Sequence, residues 1–426
     1  MQIQFSDNIY LLINIVMYLF MFLYTKKYYG NTIYTFIWLV YLIEAFLSFY
    51  IWNSGIYYNS SGLYIKNNVE LLPFIIIFIC AYLLIYPLKN MRITSTSEIT
   101  INGRILRYID NIGICVAFIY SCMLLPYLSI AMTSNAADIY NAERTGEGIV
   151  PHFVGVIGMI YNIAYPVLNL SFFYLLTKSK INILYVLILF VSILIPNILS
   201  SICYASRGSI FFNFFHMVIG YILFKNCISS RIKHIIYIVL ISIVSFLITI
   251  VMGISLARSG RLDAVNEIIR YFGESFLNFN VVFYDNLKQP IGGERIFPYI
   301  IKQFKNIPLF DSTAESVAYY SWISGTPVAL FKMIYGDFYV EFGLIGMFIT
   351  IIIFHLLGGF IAKHKANKFS IVFFYFTYSQ IVFTSIFDFT RAGTTAFKVL
   401  FFQIIIVLLI DKRKKHGKVF NRNTRI

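Results

Sequence analysis

Three arginines stand where the chain leaves apolar runs: Arg207 in the turn ASRGS, and Arg258 and Arg261, three apart, in ARSGR. A guanidinium is a permanently charged planar fork that matches phosphate oxygens, and Gly208 and Gly260 allow a close backbone approach beside it. The plainer readings are that Arg258 and Arg261 anchor a helix end by snorkelling and that Arg207 is a hydrogen-bonded turn residue. Asp388 and Arg391 in FDFTRAG lie three apart and read as an ion pair. Glu44 falls near the middle of an apolar run, where an ionisable group is either functional or protonated and hydrogen-bonded. His216 and His355, also in apolar runs and without partners at ligand spacing, read as core hydrogen-bonding histidines. The five cysteines show no CxxC or Cys/His spacing, so neither a disulfide nor a zinc site is expected. No Walker A, GxSxG or HExxH motif is present, and no metal or other cofactor is expected.

The elements that must position these residues are membrane helices. Hydrophobic residues make up 59% of the 426 and charged residues 12%, against roughly 45–50% and about 25% in a soluble domain. Apolar runs near 9–24, 32–52, 71–88, 111–132, 153–176, 182–203, 209–224, 235–256, 339–361, 369–387 and 394–410 predict an all-α polytopic protein of about eleven transmembrane helices. The first run follows no basic region and precedes no small-residue cleavage site, so it is expected to remain as an anchor rather than a removable signal peptide.

The net charge of +15 tracks topology. Alternate loops hold 21 lysines and arginines, seven of them in the basic tail within 411–426, whereas the short loops of the other set hold only Lys66, Arg144, Arg207 and Arg391. Basic residues are retained in the cytoplasm, which puts the N-terminus outside and the C-terminus inside. The tail then anchors at anionic lipid, and nucleic acid is not an expected partner.

One membrane domain, 1–426, is expected, with a single large extracytoplasmic loop at 257–337. That loop carries eight basic and eight acidic residues and many aromatics, too much apolar surface for disorder. Within it, LDAVNEIIRYFGESF aligns Val265, Ile268, Ile269, Phe272 and Phe276 near one helical face. The expectation is a helix lying on the membrane, its aromatics capping the bundle or stacking on sugars.

Three stretches, SRG at 206–208, ARSGR at 257–261 and GDFYVEFGLIGMF at 336–348, together with the span count and the single long outer loop, resemble the Wzy family of O-antigen and capsule oligosaccharide repeat-unit polymerases. The resemblance implies a multi-span glycosyltransferase-type fold shared with O-antigen ligases. It also implies undecaprenyl-diphosphate-linked oligosaccharides as substrates, membrane lipid as surroundings, and a chain-length regulator and flippase of the same pathway as partners. By position, Arg207, Arg258 and Arg261 match the family's diphosphate-binding arginines. These would neutralise the leaving group without a metal ion. A general base for the acceptor hydroxyl would come from Asp337, Glu341, Asp388 or Asp263, with Asp337 ranked first at the loop-to-span junction and Asp388 beside it in the catalytic assignment. Arg295, later in the same loop, is expected to matter less.

Three rival functions are a lipid-linked oligosaccharide flippase or other transporter, an O-antigen ligase and a structural membrane scaffold. A flippase should line its path with polar residues across the bilayer, whereas here they are expected to concentrate outside. The orientation is checked with topology reporters: fusions after Lys180, Lys233 and Lys368 should read cytoplasmic, and fusions within 257–337 external. A cytoplasmic reading for that loop would place every proposed site residue in the wrong compartment.

Overall fold

A computed structural model describes residues 5–57, 68–96, 99–238, 249–250, 252–253 and 264–411, with the backbone alone for Arg207, Ser209 and Ala264. Among these residues the chain is helical, with no strand beyond one isolated bridge between Thr100 and Lys368. Its helices are α1 Phe5–Tyr29, α2 Ile33–Asn53, α3 Leu71–Ile85, α4 Gly103–Thr133, α5 Ala136–Thr145, α6 His152–Leu176 and α7 Ile183–Cys203. They continue with α8 Arg207–Phe224, α9 Ala264–Asn278, α10 Pro298–Ile301, α11 Thr313–Ser324, α12 Met333–Lys363, α13 Phe369–Thr384 and α14 Gly393–Asp411. Among the described residues, eight helical segments are long and apolar enough to cross a membrane, and two shorter apolar helices, Ile210–Phe224 and Phe369–Thr384, accompany them. The protein is therefore a multi-pass α-helical membrane protein. Most of the apolar run at 235–256 lies outside the described residues.

Two groups of helices form the bundle. In one, α2 packs on α1 and α9, and α12 packs on α3; in the other, α4, α6, α7, α8 and α14 pack together. Between them runs α13, which touches helices of both groups. It is apolar nearly all round, as a helix surrounded by protein must be.

Regular helices satisfy their own backbone, so the interruptions matter most in an apolar medium. A proline has no N–H and frees the carbonyl four residues before it. Pro87 frees the Leu83 carbonyl, which lies 2.7 Å from His355 Nδ1, making His355 the core histidine expected. Pro166 frees the Asn162 carbonyl, which accepts from Gln403 Nε2 at 2.9 Å. Pro196 frees the Ser192 carbonyl, which accepts from the Tyr161 hydroxyl at 3.1 Å. In each case a polar side chain from another helix is drawn into the bundle.

The fourth interruption is Gly343, at φ 70 and ψ −175 inside α12. The break takes the Val340 and Glu341 carbonyls out of the helical ladder. They accept instead from the amides of Ile291, at 3.1 Å, and Gly292, at 2.7 Å. The segment before α12, part of the loop expected at 257–337, is thereby docked onto the broken helix.

That loop is not a surface cap. Phe276, Leu277, Phe279, Val281, Val282 and Phe283 are fully buried in the main core, and α9 lies against α2. There Ser48 Oγ donates to the Gly273 carbonyl at 2.6 Å, and a Cβ on Gly273 would meet the Leu47 backbone at 2.9 Å. This corrects the expectation of a helix on the membrane surface: Gly273 lets α9 approach α2 too closely to remain outside the bundle.

At the opposite pole, the Asp411 carboxylate accepts from the Phe369 amide at 2.9 Å, and the Asn102 amide donates to the Ile410 carbonyl at 3.1 Å. Segments that carry the basic residues of the expected cytoplasmic loops are thus joined at one end.

Gly343 occupies a backbone region that is essentially closed to side chains, so Gly343→Ala should cost about 1–3 kcal/mol. Thermal unfolding in detergent should show a lowered midpoint for it. Gly359→Ala, at a helical position with open space around its Cβ, should melt like the wild type.

Candidate functional site

The glycine break positions a charged cluster. Asp337 and Glu341, one turn apart, share a face of the α12 segment before Gly343. The docked loop turns at Gly292 and Gly293, both with positive φ, and delivers Arg295 onto that face. Arg295 Nη2 reaches Asp337 Oδ1 at 2.6 Å, and its Nε reaches Glu341 Oε1 at 2.9 Å. Lys332 Nζ also reaches Asp337 Oδ1, at 3.1 Å, and donates to the carbonyls of Val328 at 2.7 Å and Leu330 at 3.1 Å. The second Asp337 oxygen accepts from the Phe389 amide at 2.7 Å.

Burial opposes the charges on Arg295 and Lys332 in different measure. The Arg295 guanidinium loses solvation, but Asp337 and Glu341 outweigh that and hold it above its ordinary value. The Lys332 ammonium is pushed below its ordinary value by burial, which Asp337 only partly offsets. Asp388 lies next to the amide that binds Asp337. Burial, then the neighbouring Asp337 charge, push it up to about 7 against the pull of Lys332 and Arg295. Its Oδ1 is buried without a protein hydrogen bond, as is Glu341 Oε2.

These contacts separate the two assigned catalytic acids. Asp337, ranked first as base, has both oxygens engaged by two cations and an amide, which makes it an anchor with little capacity to take a proton. Asp388 keeps an unspent oxygen and titrates near neutrality, the condition that suits a general base. Arg295 is the hub of the cluster rather than a bystander. The signal for it in the sequence was the pair Gly292–Gly293 just before it, at loop-to-helix distance from the Asp337/Glu341 pair.

The expected Asp388–Arg391 ion pair does not form. The two residues lie in a turn, not on a helix, so their spacing does not make them neighbours; Arg391 Nη2 donates to Gln380 Oε1 at 3.0 Å. Among the described residues Arg391 has no carboxylate partner, and burial pulls its guanidinium down to about 10.

Arg391 borders a polar cavity of about 450 Å³ between α6, α7, α8, α13 and α14. The two helices that contain Pro166 and Pro196 meet there, and Asn162, Asn197, Gln380 and Gln403 line it. Three of its lining residues each carry a buried polar atom with no protein hydrogen bond: Gln380 Nε2, Gln403 Oε1 and His216 Nδ1. His216 is therefore not the hydrogen-bonded core histidine that its apolar surroundings suggested. The expected concentration of polar groups outside the bundle is likewise corrected, because amides from apolar spans converge within it. Their sequence signal was the placement of Asn162 four residues before a proline.

A second cavity of about 780 Å³ lies beside the first, lined by Glu294, Arg295, Lys302, Tyr320 and Thr394 among others, with Thr395 common to both. Glu294 is paired with Lys305.

Of the arginines assigned to a diphosphate, Arg258 and Arg261 lie outside the described residues, as does Asp263. Arg207 opens α8, the helix that carries Phe212, Asn213 and His216 to the polar cavity. Among the described residues no group of three or more His, Cys, Asp or Glu could hold a metal ion.

Fold and site together define a multi-pass helical membrane protein with a charged cluster at a helix break and a polar cavity between its spans. No family model, curated protein or solved structure matches the chain.

Removing Arg295 would leave Asp337 and Glu341 without their shared partner, a change that costs about 3–5 kcal/mol where a buried pair is broken. Arg295→Ala should lower the thermal midpoint and the yield of folded protein. Arg295→Lys should recover only part, since a lysine cannot present two donors in a fork.

Proposed function

We propose that this protein is a polymerase of lipid-linked oligosaccharide repeat units, a metal-independent glycosyltransferase acting on undecaprenyl-diphosphate-linked substrates. It would work at the outer face of a bacterial cytoplasmic membrane, with about eleven spans, the N-terminus outside and the C-terminus cytoplasmic. The product would be an O-antigen or capsular polysaccharide. A chain-length regulator and a flippase of the same pathway would be its partners.

One observation carries the reading: a cavity within the range of small-molecule sites, roughly 300–1,000 Å³, whose lining residues include an arginine with no carboxylate partner among the described residues, and three side chains, Gln380, Gln403 and His216, that each hold a buried polar atom without a protein hydrogen bond. Buried polar atoms without protein partners call for a ligand that can bond them. Hydroxyl-rich sugars with an anionic group fit that wall.

In the reaction, the acceptor hydroxyl oxygen attacks the anomeric carbon of the donor chain, and the bond from that carbon to the lipid diphosphate breaks. The diphosphate leaves with the electron pair and Asp388 takes the hydroxyl proton. Asp337, Arg295 and Lys332 hold the segment around Asp388 in place. Arg207, Arg258 and Arg261, the arginines that the resemblance assigns to the diphosphate, would bind the leaving group.

The cavity between the spans also favours a second reading, a transporter of lipid-linked oligosaccharide. A glycan ladder separates the readings: loss of a polymerase leaves single repeats on the surface, loss of a ligase leaves free lipid-linked polymer, and loss of a flippase leaves no surface glycan.

Asp388→Asn should collapse the ladder to one repeat and slow polymerisation in membranes by about 10²–10⁴-fold, the range for a general base. Since the carboxyl titrates at about 7, it is protonated and unable to act as a base below that pH. The wild-type rate should therefore rise through pH 7 to a plateau, and the residual rate of the variant should not. A variant that retained both the ladder and the limb near pH 7 would exclude Asp388 as the base.

A further inference from the structure

Arg391 has a second face. Besides the polar cavity it borders an apolar cavity of about 430 Å³. Leu357 and Ile361 of α12, Phe374 and Ile381 of α13, and Leu400 and Ile404 of α14 line it. In each pair the residues are four or seven apart, hence on one face of their helix. At 1.5 Å per residue the groove follows the helices for roughly 10 Å. Phe297 and Phe389, from segments joined to the charged cluster, close it at the outer end.

The two cavities have opposite chemistry and share Arg391 and Ala396. A guanidinium in such a place, with an amide oxygen as its protein acceptor and no carboxylate, has lost solvation that nothing in the protein fully returns. An anionic group at the junction would return it. The first turn of α14 borders the polar cavity through Thr395 and Ala396, and amides at a helix start favour the same charge.

We infer that Arg391 and the groove between α12, α13 and α14 form the seat of a phosphate ester with a long apolar chain: chain in the groove, phosphate at Arg391, hydroxyl-rich substituent in the polar cavity. The inference deepens the polymerase reading by naming where its lipid-linked substrate sits, and it places the phosphate on a residue that the sequence assigned to an ion pair. A polyprenyl diphosphate and a glycerophospholipid headgroup share this chemistry. The polar cavity favours the polyprenyl diphosphate, since a diacyl lipid carries two chains for one groove and a small headgroup for a wall of amides.

The full-length protein is placed in phosphatidylcholine nanodiscs, and binding of a polyprenyl diphosphate, phosphatidylglycerol and inorganic pyrophosphate is measured by native mass spectrometry. The polyprenyl diphosphate should bind at least tenfold more tightly than phosphatidylglycerol. Arg391→Ala should lose at least tenfold of that affinity, and Arg391→Lys should keep part of it. Leu400→Trp, which fills the groove, should weaken the polyprenyl ligand while leaving pyrophosphate unchanged. If Arg391→Ala melts early, Arg391→Lys and Leu400→Trp with wild-type midpoints carry the test. Wild-type affinity in the arginine and groove variants would overturn the seat, and equal affinity for phosphatidylglycerol would make it a bulk-lipid site. A protein that binds the polyprenyl diphosphate through these residues but builds no polymer keeps the seat and loses the polymerase reading.

Discussion

Within a bilayer a backbone carbonyl that leaves its helical ladder must find another donor, and interruptions at Pro87, Pro166, Pro196 and Gly343 draw polar groups from elsewhere in the chain to particular places in the bundle. Pro87, Pro166, Pro196 and Gly343 each release carbonyls at membrane depth or near it. The donors that answer them are His355, Gln403, Tyr161 and the amides of residues 291 and 292. Three of those answers are local repairs of the bundle. The fourth brings in a distant loop and, with it, the chemistry.

The same logic of answering a group at a distance governs the charges. Asp337 and Glu341 are tolerable on a buried helix face because the loop that repairs the glycine break also supplies Arg295 within hydrogen-bond reach of both. Lys332 and the Phe389 amide complete the shell around Asp337. Saturation of one acid is what makes its neighbour useful. With Asp337 fixed as an anion, Asp388 is pushed towards neutrality and keeps an oxygen free. The charged cluster thus draws on three separate parts of the chain, and the glycine break is where they meet.

Around this cluster the bundle divides its interior by polarity. Residues of α6, α7 and α8, with Gln380 and Gln403, line one cavity with amides and an imidazole, while α12, α13 and α14 line another with mainly aliphatic and aromatic side chains. Arg391 stands at the boundary. Its position follows from the short turn between α13 and α14, which reverses the chain and leaves the side chain between the two compartments.

The sequence by itself determined the class of the protein and the rough course of its chain, because long uncharged runs have one solution in lipid and basic loops have a preferred side. It also singled out GDFYVEFGLIGMF, by resemblance, and FDFTRAG, by the spacing of its two charges. What it left undecided was every partnership between residues far apart. Nothing local tells that Arg295 answers Asp337 and Glu341 across more than forty positions, that α9 sinks against α2, or that Arg391 turns from the nearby Asp388 to Gln380. His216 reads as an ordinary core residue until Gln380, Gln403 and Asn162 arrive beside it from three other helices. Those outcomes depend on which helices become neighbours, which is set by packing of whole apolar faces and by the close approach allowed at Gly273 and Gly358. Periodicity reports that a face is buried; only the tertiary structure decides what it is buried against.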